Sequence, residues 1–260
     1  MGEITKISWC DSTFNPWTGC QHVSDGCDHC YAEILAARFN LVAWGPGQDR
    51  RRTSEGNWRD PLKWNKAAQA RGERHRVFCA SLADWLDNQV PRQWRADLLK
   101  LIEDTPALDW LLLTKRPQNA RKLVPHEWWG QPNVWFGVTA EDQEHYRQRW
   151  PVAREIPAVV HFVSYEPAIG PLDLCEAPPY PDWVIFGGES GKDARSVDVE
   201  WAERMIEQSR MLGIAPFVKQ LGHRPVNGNV ALLLRDRAKG ADPEEWPLQL
   251  RVRDWPCGRP

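Results

Sequence analysis

The sequence predicts an α/β fold of parallel β/α units closing into a complete or partial (β/α) barrel, with a doubly wound open sheet as the competing arrangement. Three observations carry this reading. Short, nearly continuous apolar runs recur along the chain, stretches of helical length separate them, and polar or charged residues follow each run at once. A strand buried on both faces reads as such a run, and strand–helix alternation at this spacing makes a parallel sheet.

The runs fall at 77–80, 108–113, 134–138, 159–163, 183–186 and 214–218, each rich in β-branched or aromatic residues. Helices are expected at 32–41, 92–104, 118–123, 142–154 and 199–212. The last carries Trp201, Ala202, Met205, Ile206 and Met211 and stops before Gly213, a residue suited to the left-handed end of a helix. Residues 43–76 break the rhythm with Trp44-Gly45-Pro46-Gly47, Arg50-Arg51-Arg52, Trp58 and Trp64, and read as an exposed insertion with aromatic anchors. The barrel proper is assigned to residues 1–222. The tail at 223–260, rich in Pro, Gly and charge, reads as a cap on the same domain.

Composition narrows the function. Hydrophobic residues at 42% and charged residues at 26% exclude a disordered chain, and a net charge of −2 excludes a globally basic binder. No apolar run approaches the ~20 residues of a membrane-spanning helix, and residues 1–8 lack a signal-peptide pattern, so a cytoplasmic protein is expected. Sixteen Trp supply bulky packing surface without naming a ligand. Of seven Cys, four (Cys10, Cys20, Cys27 and Cys30) crowd the first 30 residues, while Cys79, Cys175 and Cys257 stand alone. That spacing points to metal or redox chemistry rather than a disulfide framework.

In parallel β/α folds the active site forms at the C-terminal ends of the strands. Those ends here deliver Ser81 and Asp84, then Thr114, Lys115 and Arg116, then Thr139, Glu141 and Asp142, then Ser164, Tyr165 and Glu166. Gly187-Gly188-Glu189-Ser190-Gly191 and Lys219-Gln220 complete the series. Adjacent glycines let backbone N–H groups approach a ligand, or they simply make a turn.

The most informative segment is Asn15-Pro16-Trp17-Thr18-Gly19-Cys20, continuing to Gly26-Cys27-Asp28-His29-Cys30-Tyr31-Ala32. Six residues separate its first two cysteines and two separate the last pair. Three thiolates on one loop suit a 4Fe–4S cluster with one iron left open. Zinc is the alternative, with Cys10, His22 or His29 as fourth ligand.

This loop resembles that of the phage Gp37/Gp68 family, a radical-SAM-like group, and is similar to the loop of photoproduct-lyase-type radical SAM proteins. Leu111-Leu112-Leu113-Thr114-Lys115-Arg116-Pro117, Ser164-Tyr165-Glu166-Pro167, Gly187-Gly188-Glu189-Ser190-Gly191, Phe217-Val218-Lys219-Gln220 and Glu245-Trp246-Pro247 extend the resemblance over nearly the whole chain. The resemblance implies a partial barrel of radical SAM type, with Cys20, Cys27 and Cys30 holding three irons and S-adenosylmethionine on the fourth. Reductive cleavage of that cofactor yields a 5′-deoxyadenosyl radical. Ser81, Asp84, Glu141, Glu166, Gly187, Gly188, Glu189 and Ser190 are expected around the cofactor.

An external electron donor is then required, and a phage-encoded chain would work in the host cytoplasm. The implied substrate is a nucleic acid or modified nucleotide, foremost an amino-acid-decorated thymidine that is isomerised during DNA hypermodification. Two alternatives stand beside it: a repair lyase of photoproduct-lyase type, and a zinc-stapled nucleic-acid-binding protein without catalysis. Lys115, Arg116, Arg195 and Lys219 are candidates for holding carboxylate or phosphate. The basic, Trp-bearing 50–76 segment either tracks a nucleic-acid backbone or is a solvated loop with Trp packed inward. Cys79 either returns a hydrogen atom to a product radical or is a small buried hydrophobe.

Overall fold

The computed structural model describes residues 5–256; residues 1–4 and Cys257 lie outside them. In chain order the elements are β1 (Ser12–Thr13), β2 (Trp17–Thr18), α1 (Tyr31–Arg38), β3 (Arg51–Arg52), α2 (Glu55–Arg71), β4 (His75–Cys79), α3 (Arg92–Glu103) and β5 (Leu108–Thr114). Then follow α4 (Ala120–Leu123), β6 (Val134–Thr139), α5 (Gln143–Ala153), β7 (Val160–Tyr165), β8 (Trp183–Gly187), β9 (Val197–Asp198), α6 (Val199–Leu212), β10 (Ala215–Gln220), β11 (Pro225–Asn227) and β12 (Val230–Ala231).

Seven strands form one sheet in the order β1-β4-β5-β6-β7-β8-β10. The order climbs in one direction and never reverses, so there is no switch point of the doubly wound kind. With right-handed crossovers, such winding puts the connecting helices on one face of the sheet. This is a partial β/α barrel, and the competing open sheet is excluded. Each of the six apolar runs is a strand of it, and β1, too short to show as an apolar run, adds the seventh.

The segment at 43–76, expected as an exposed insertion, has a buried helical face. Half of it is α2, a 17-residue helix in the connection from β1 to β4. Its buried side chains, Pro61, Trp64, Asn65 and Ala68, have the i, i+3, i+4, i+7 spacing of one helical face. Pro, Asn and Ala disguised that stripe in the sequence. Ser54 accepts the Asn57 amide at 3.3 Å at one end, and Gly72, at φ +65°, ends the other.

The chain divides into two compact units, Met1–Gly137 with Ile156–Val159, and Val138–Glu155 with Val160–Pro260. In the first, β1 lies parallel to β4, with Ser12 opposite Val77, and β4 lies parallel to β5, with Cys79 opposite Leu112. Aromatic edges fill its core. Phe14 meets Trp58 and Trp110 edge-on at 5.4 and 5.6 Å, and Trp9 lies 4.5 Å from Phe78. Such pairs contribute about 0.5–1.5 kcal/mol each beyond their area burial.

In the second unit β7, β8 and β10 run parallel. Residues 252–254 lie antiparallel along β10, with Val218 donating to the Val252 carbonyl at 2.8 Å and Asp254 to that of Pro216 at 2.9 Å. The tail therefore covers a sheet edge, the feature most exposed to unwanted strand pairing, and Trp255 stacks on Trp183 at 4.9 Å. Trp9, Trp17, Trp85, Trp110, Trp135, Trp150, Trp183 and Trp246 are fully buried, so half of the sixteen tryptophans are core filling. Among the described residues, no helix is long and apolar enough to cross a membrane.

Candidate cluster loop and strand-end site

The loop that leaves β1 is fastened before its cysteines begin. Asn15, fully buried, donates to Ser81 Oγ at 2.9 Å and accepts the Leu82 amide at 2.7 Å. Its carbonyl accepts from Thr53 and Asn57 at 2.8 and 3.0 Å. Thus one side chain and one peptide tie β1 to the end of β4 and the start of α2. β2 then pairs antiparallel with β3. Gly19, at φ +105°, turns the chain into Cys20, and any side chain there would meet Arg50. The Arg50–Asp87 pair beneath, 2.8 Å apart, has both side chains out of water.

The three thiols lie in different settings along this loop. Cys20 Sγ accepts from both terminal nitrogens of Arg116 at 3.5 Å. Burial pushes the Cys20 thiol up to about 11, against the opposing pull of the Arg116 charge. Cys27 is buried, with its sulfur 3.9 Å from Ser24 Oγ. Cys30 stands at the N-cap position of α1. Burial raises its thiol, while the backbone amides of Glu33 and Ala32 and the charge of Lys115 oppose the rise. Tyr31 donates its hydroxyl to the Ser81 carbonyl at 2.7 Å, bracing the start of α1 against the end of β4. All three thiols are free. Among the described residues no three His, Cys, Asp or Glu are already drawn together as a metal chelate.

Asp84 is the hub of this end of the unit. One carboxylate oxygen accepts from Thr114 Oγ1 at 2.7 Å and the Leu86 amide at 2.9 Å. The other accepts from the Lys115 amide at 3.0 Å and Arg116 Nη1 at 2.8 Å. Burial opposes the Arg116 charge, yet Asp84 beside it raises the guanidinium pKa above its ordinary value. Cys79 has no exposure, and burial pushes its thiol well up. It sits in the β4 core as a small buried side chain.

The strand ends of the second unit are equally polar, and their groups are largely spent on one another. Glu141, fully buried, accepts from Arg149 at 2.6 Å. Glu166 accepts from Ser164 at 3.3 Å and pairs with Lys219 at 2.7 Å. Glu189 accepts the Arg195 amide at 2.7 Å and its guanidinium, so Arg195 is not free for substrate. Ser190 accepts from Gln220 at 2.9 Å. The glycines follow from the same crowding. A Cβ on Gly187 would stand 2.5 Å from the Glu166 carboxylate. One on Gly188 would stand 2.6 Å from the Leu221 carbonyl, and the Gly188 amide already donates to Gln220.

The structure thus gathers Cys20, Cys27, Cys30, Ser81, Asp84, Lys115 and Arg116 in the first unit. Glu141, Glu166, Gly187, Gly188, Glu189, Ser190 and Lys219 belong to the second. Sequence reasoning did not single out Asn15, although it lies within the quoted motif, or the Arg50–Asp87 pair. A buried Arg three residues after a Gly-Pro-Gly turn carries no periodic signal. Arg50, Trp58 and Trp64 are also withdrawn as a nucleic-acid track. Arg50 is paired inside, Trp64 is buried, and Trp58 is covered by the Arg52 guanidinium at 3.8 Å.

The fold and the loop together place the chain among α/β partial-barrel proteins with a three-cysteine loop after the first strand of the sheet. It belongs to the family described as protein of unknown function DUF5131, whose model matches residues 4–246. No curated protein matches it. Among solved structures, it is similar to a mutant spore photoproduct lyase with bound AdoMet and a dinucleoside spore photoproduct. The identity is 13% and the TM-score 0.45, over 84% of this chain and 58% of that one. The chain therefore spans less than two thirds of that lyase.

Proposed function

We propose that this chain is a radical SAM enzyme whose substrate is a modified thymidine nucleotide, rearranged during DNA hypermodification. The observation that carries the class is the cysteine loop. It bears three free thiols, with the Arg116 guanidinium against one and the N-terminus of α1 and Lys115 acting on another. Positive charge and amide N–H groups work toward thiolate, the form that binds iron, against the burial that raises both thiols.

The donor set fits a 4Fe–4S cluster better than zinc. Two of the three fourth ligands that zinc would draw on are engaged elsewhere: Cys10 directs its thiol to the Ile7 carbonyl, and His22 pairs with Glu33 at 2.6 Å. Cys20, Cys27 and Cys30 would hold the cluster. When bound with S-adenosylmethionine it supplies a one-electron cleavage that yields a 5′-deoxyadenosyl radical.

The protein's own part is orientation and charge. Asn15 and Tyr31 fix the two ends of the loop to the end of β4. Asp84 holds Arg116 against Cys20. The thymidine substrate rests on the phage-family resemblance of the sequence blocks.

The test is isotope transfer. The reconstituted, reduced protein is given S-adenosylmethionine and an oligonucleotide carrying a glycyl-modified thymidine deuterated at the glycyl Cα. Deuterium in the recovered 5′-deoxyadenosine is expected. Unlabelled 5′-deoxyadenosine would reject the substrate, and absence of any cleavage would reject the class.

A further inference from the structure

We propose that Arg116 is a positioning residue for the cluster loop: anchored by Asp84, it donates two N–H groups to the Cys20 sulfur and raises the electron affinity of the iron–sulfur centre that this sulfur ligates. The inference rests on the cluster reading above and deepens it, by assigning the control of potential to a named side chain.

The geometry is that of a clamp. Nη1 and Nη2 each lie 3.5 Å from Cys20 Sγ. Nη1 also donates to Asp84 at 2.8 Å and Nη2 to the Gln21 carbonyl at 3.0 Å. The Arg116 amide donates to Thr114 Oγ1 at 2.9 Å, and that hydroxyl donates in turn to Asp84. The Arg116 and Asp84 side chains are 5% and 7% exposed, so salt screens this pair little. A planar fork meets a carboxylate and a sulfur at once, which a lysine ammonium cannot do in the same geometry. With both terminal nitrogens engaged, Arg116 is not a group for substrate carboxylate.

A cysteine sulfur bound to iron still accepts hydrogen bonds, and such bonds, with local charge, set cluster potentials. Reduction adds one electron from an external reductant, with no proton moved and no bond broken. A fixed cation and two N–H donors at the sulfur stabilise the added negative charge.

The test compares the natural chain with R116Q and R116K after anaerobic reconstitution, by iron and sulfide content and by redox titration followed in EPR. In R116Q the equilibrium constant for reduction is expected to fall about tenfold, a shift of about 59 mV to more negative potential. R116K keeps the charge but loses the fork, and should fall about threefold. Resonance Raman should show an altered Fe–S(Cys) stretch in both. Loaded variants with unchanged potential and stretch would overturn the proposal. If R116Q does not fold, R116K decides by the same two readouts. Failure of the natural chain itself to take up iron and sulfide would instead overturn the cluster reading, and is seen separately.

Discussion

The cysteine loop and the Gly187-to-Gly191 turn both follow a strand end, and both advertise chemistry in the sequence, yet they use their polar groups differently. In the turn, Glu189 is taken by Arg195, Ser190 by Gln220, and the two glycines by the close approach of Glu166 and Leu221. In the loop, the supporting residues are equally satisfied, but what they support is a set of sulfurs, which meet only N–H donors, a hydroxyl and a carbonyl. Asn15, Tyr31, Asp84 and Arg116 hold the loop in place, and the three thiols are joined in no disulfide. A polar motif whose members are paired among themselves explains packing. One whose members hold soft donors in position explains chemistry.

The largest effect that would break this contrast comes from G188A. The added Cβ would meet the Leu221 carbonyl at 2.6 Å and Val197 at 2.8 Å. Overpacking of this kind costs about 1–3 kcal/mol. Denaturant unfolding should show that loss, while the iron content of the reconstituted protein stays unchanged. Normal stability with weakened S-adenosylmethionine binding would return the turn to the ligand site and undo the comparison.

A smaller effect sharpens the other side. Asp11, just before β1, accepts the Arg76 amide at 2.8 Å and its guanidinium at 3.0 and 3.1 Å. Burial works against ionisation, but the hydrogen bonds and charge of Arg76 prevail and hold the Asp11 carboxyl below its ordinary value. A depressed carboxyl stabilises the fold above its unfolded pKa of about 3.9, and that contribution disappears as pH falls through the folded value. D11N should therefore cost about 1–2 kcal/mol near pH 7, with the gap from the natural chain closing below about pH 4. A gap independent of pH would show that shape, not charge, anchors the strand beneath the loop.

How much of this was legible beforehand follows from the same residues. The strands and α6 were readable because burial on both faces writes continuous apolar runs, and because a clear helical period stops at Gly213. The helix α2 was not, because its buried face is built from Pro61, Trp64, Asn65 and Ala68 rather than from aliphatic residues. Cysteine spacing made the loop legible. The partners that consume Asp84, Glu141 and Glu189 were not, since Arg116, Arg149 and Arg195 meet them only after folding. Lys219 was visible as a strand-end cation, but its tie to Glu166 joins residues far apart in the chain.

The most direct measurement is iron and acid-labile sulfide per chain after anaerobic reconstitution, for the natural protein and for C20A/C27A/C30A. The account predicts about four irons in the first, as a 4Fe–4S cluster requires, and none in the second. One tightly bound zinc per chain, or the same iron content in both proteins, would contradict it.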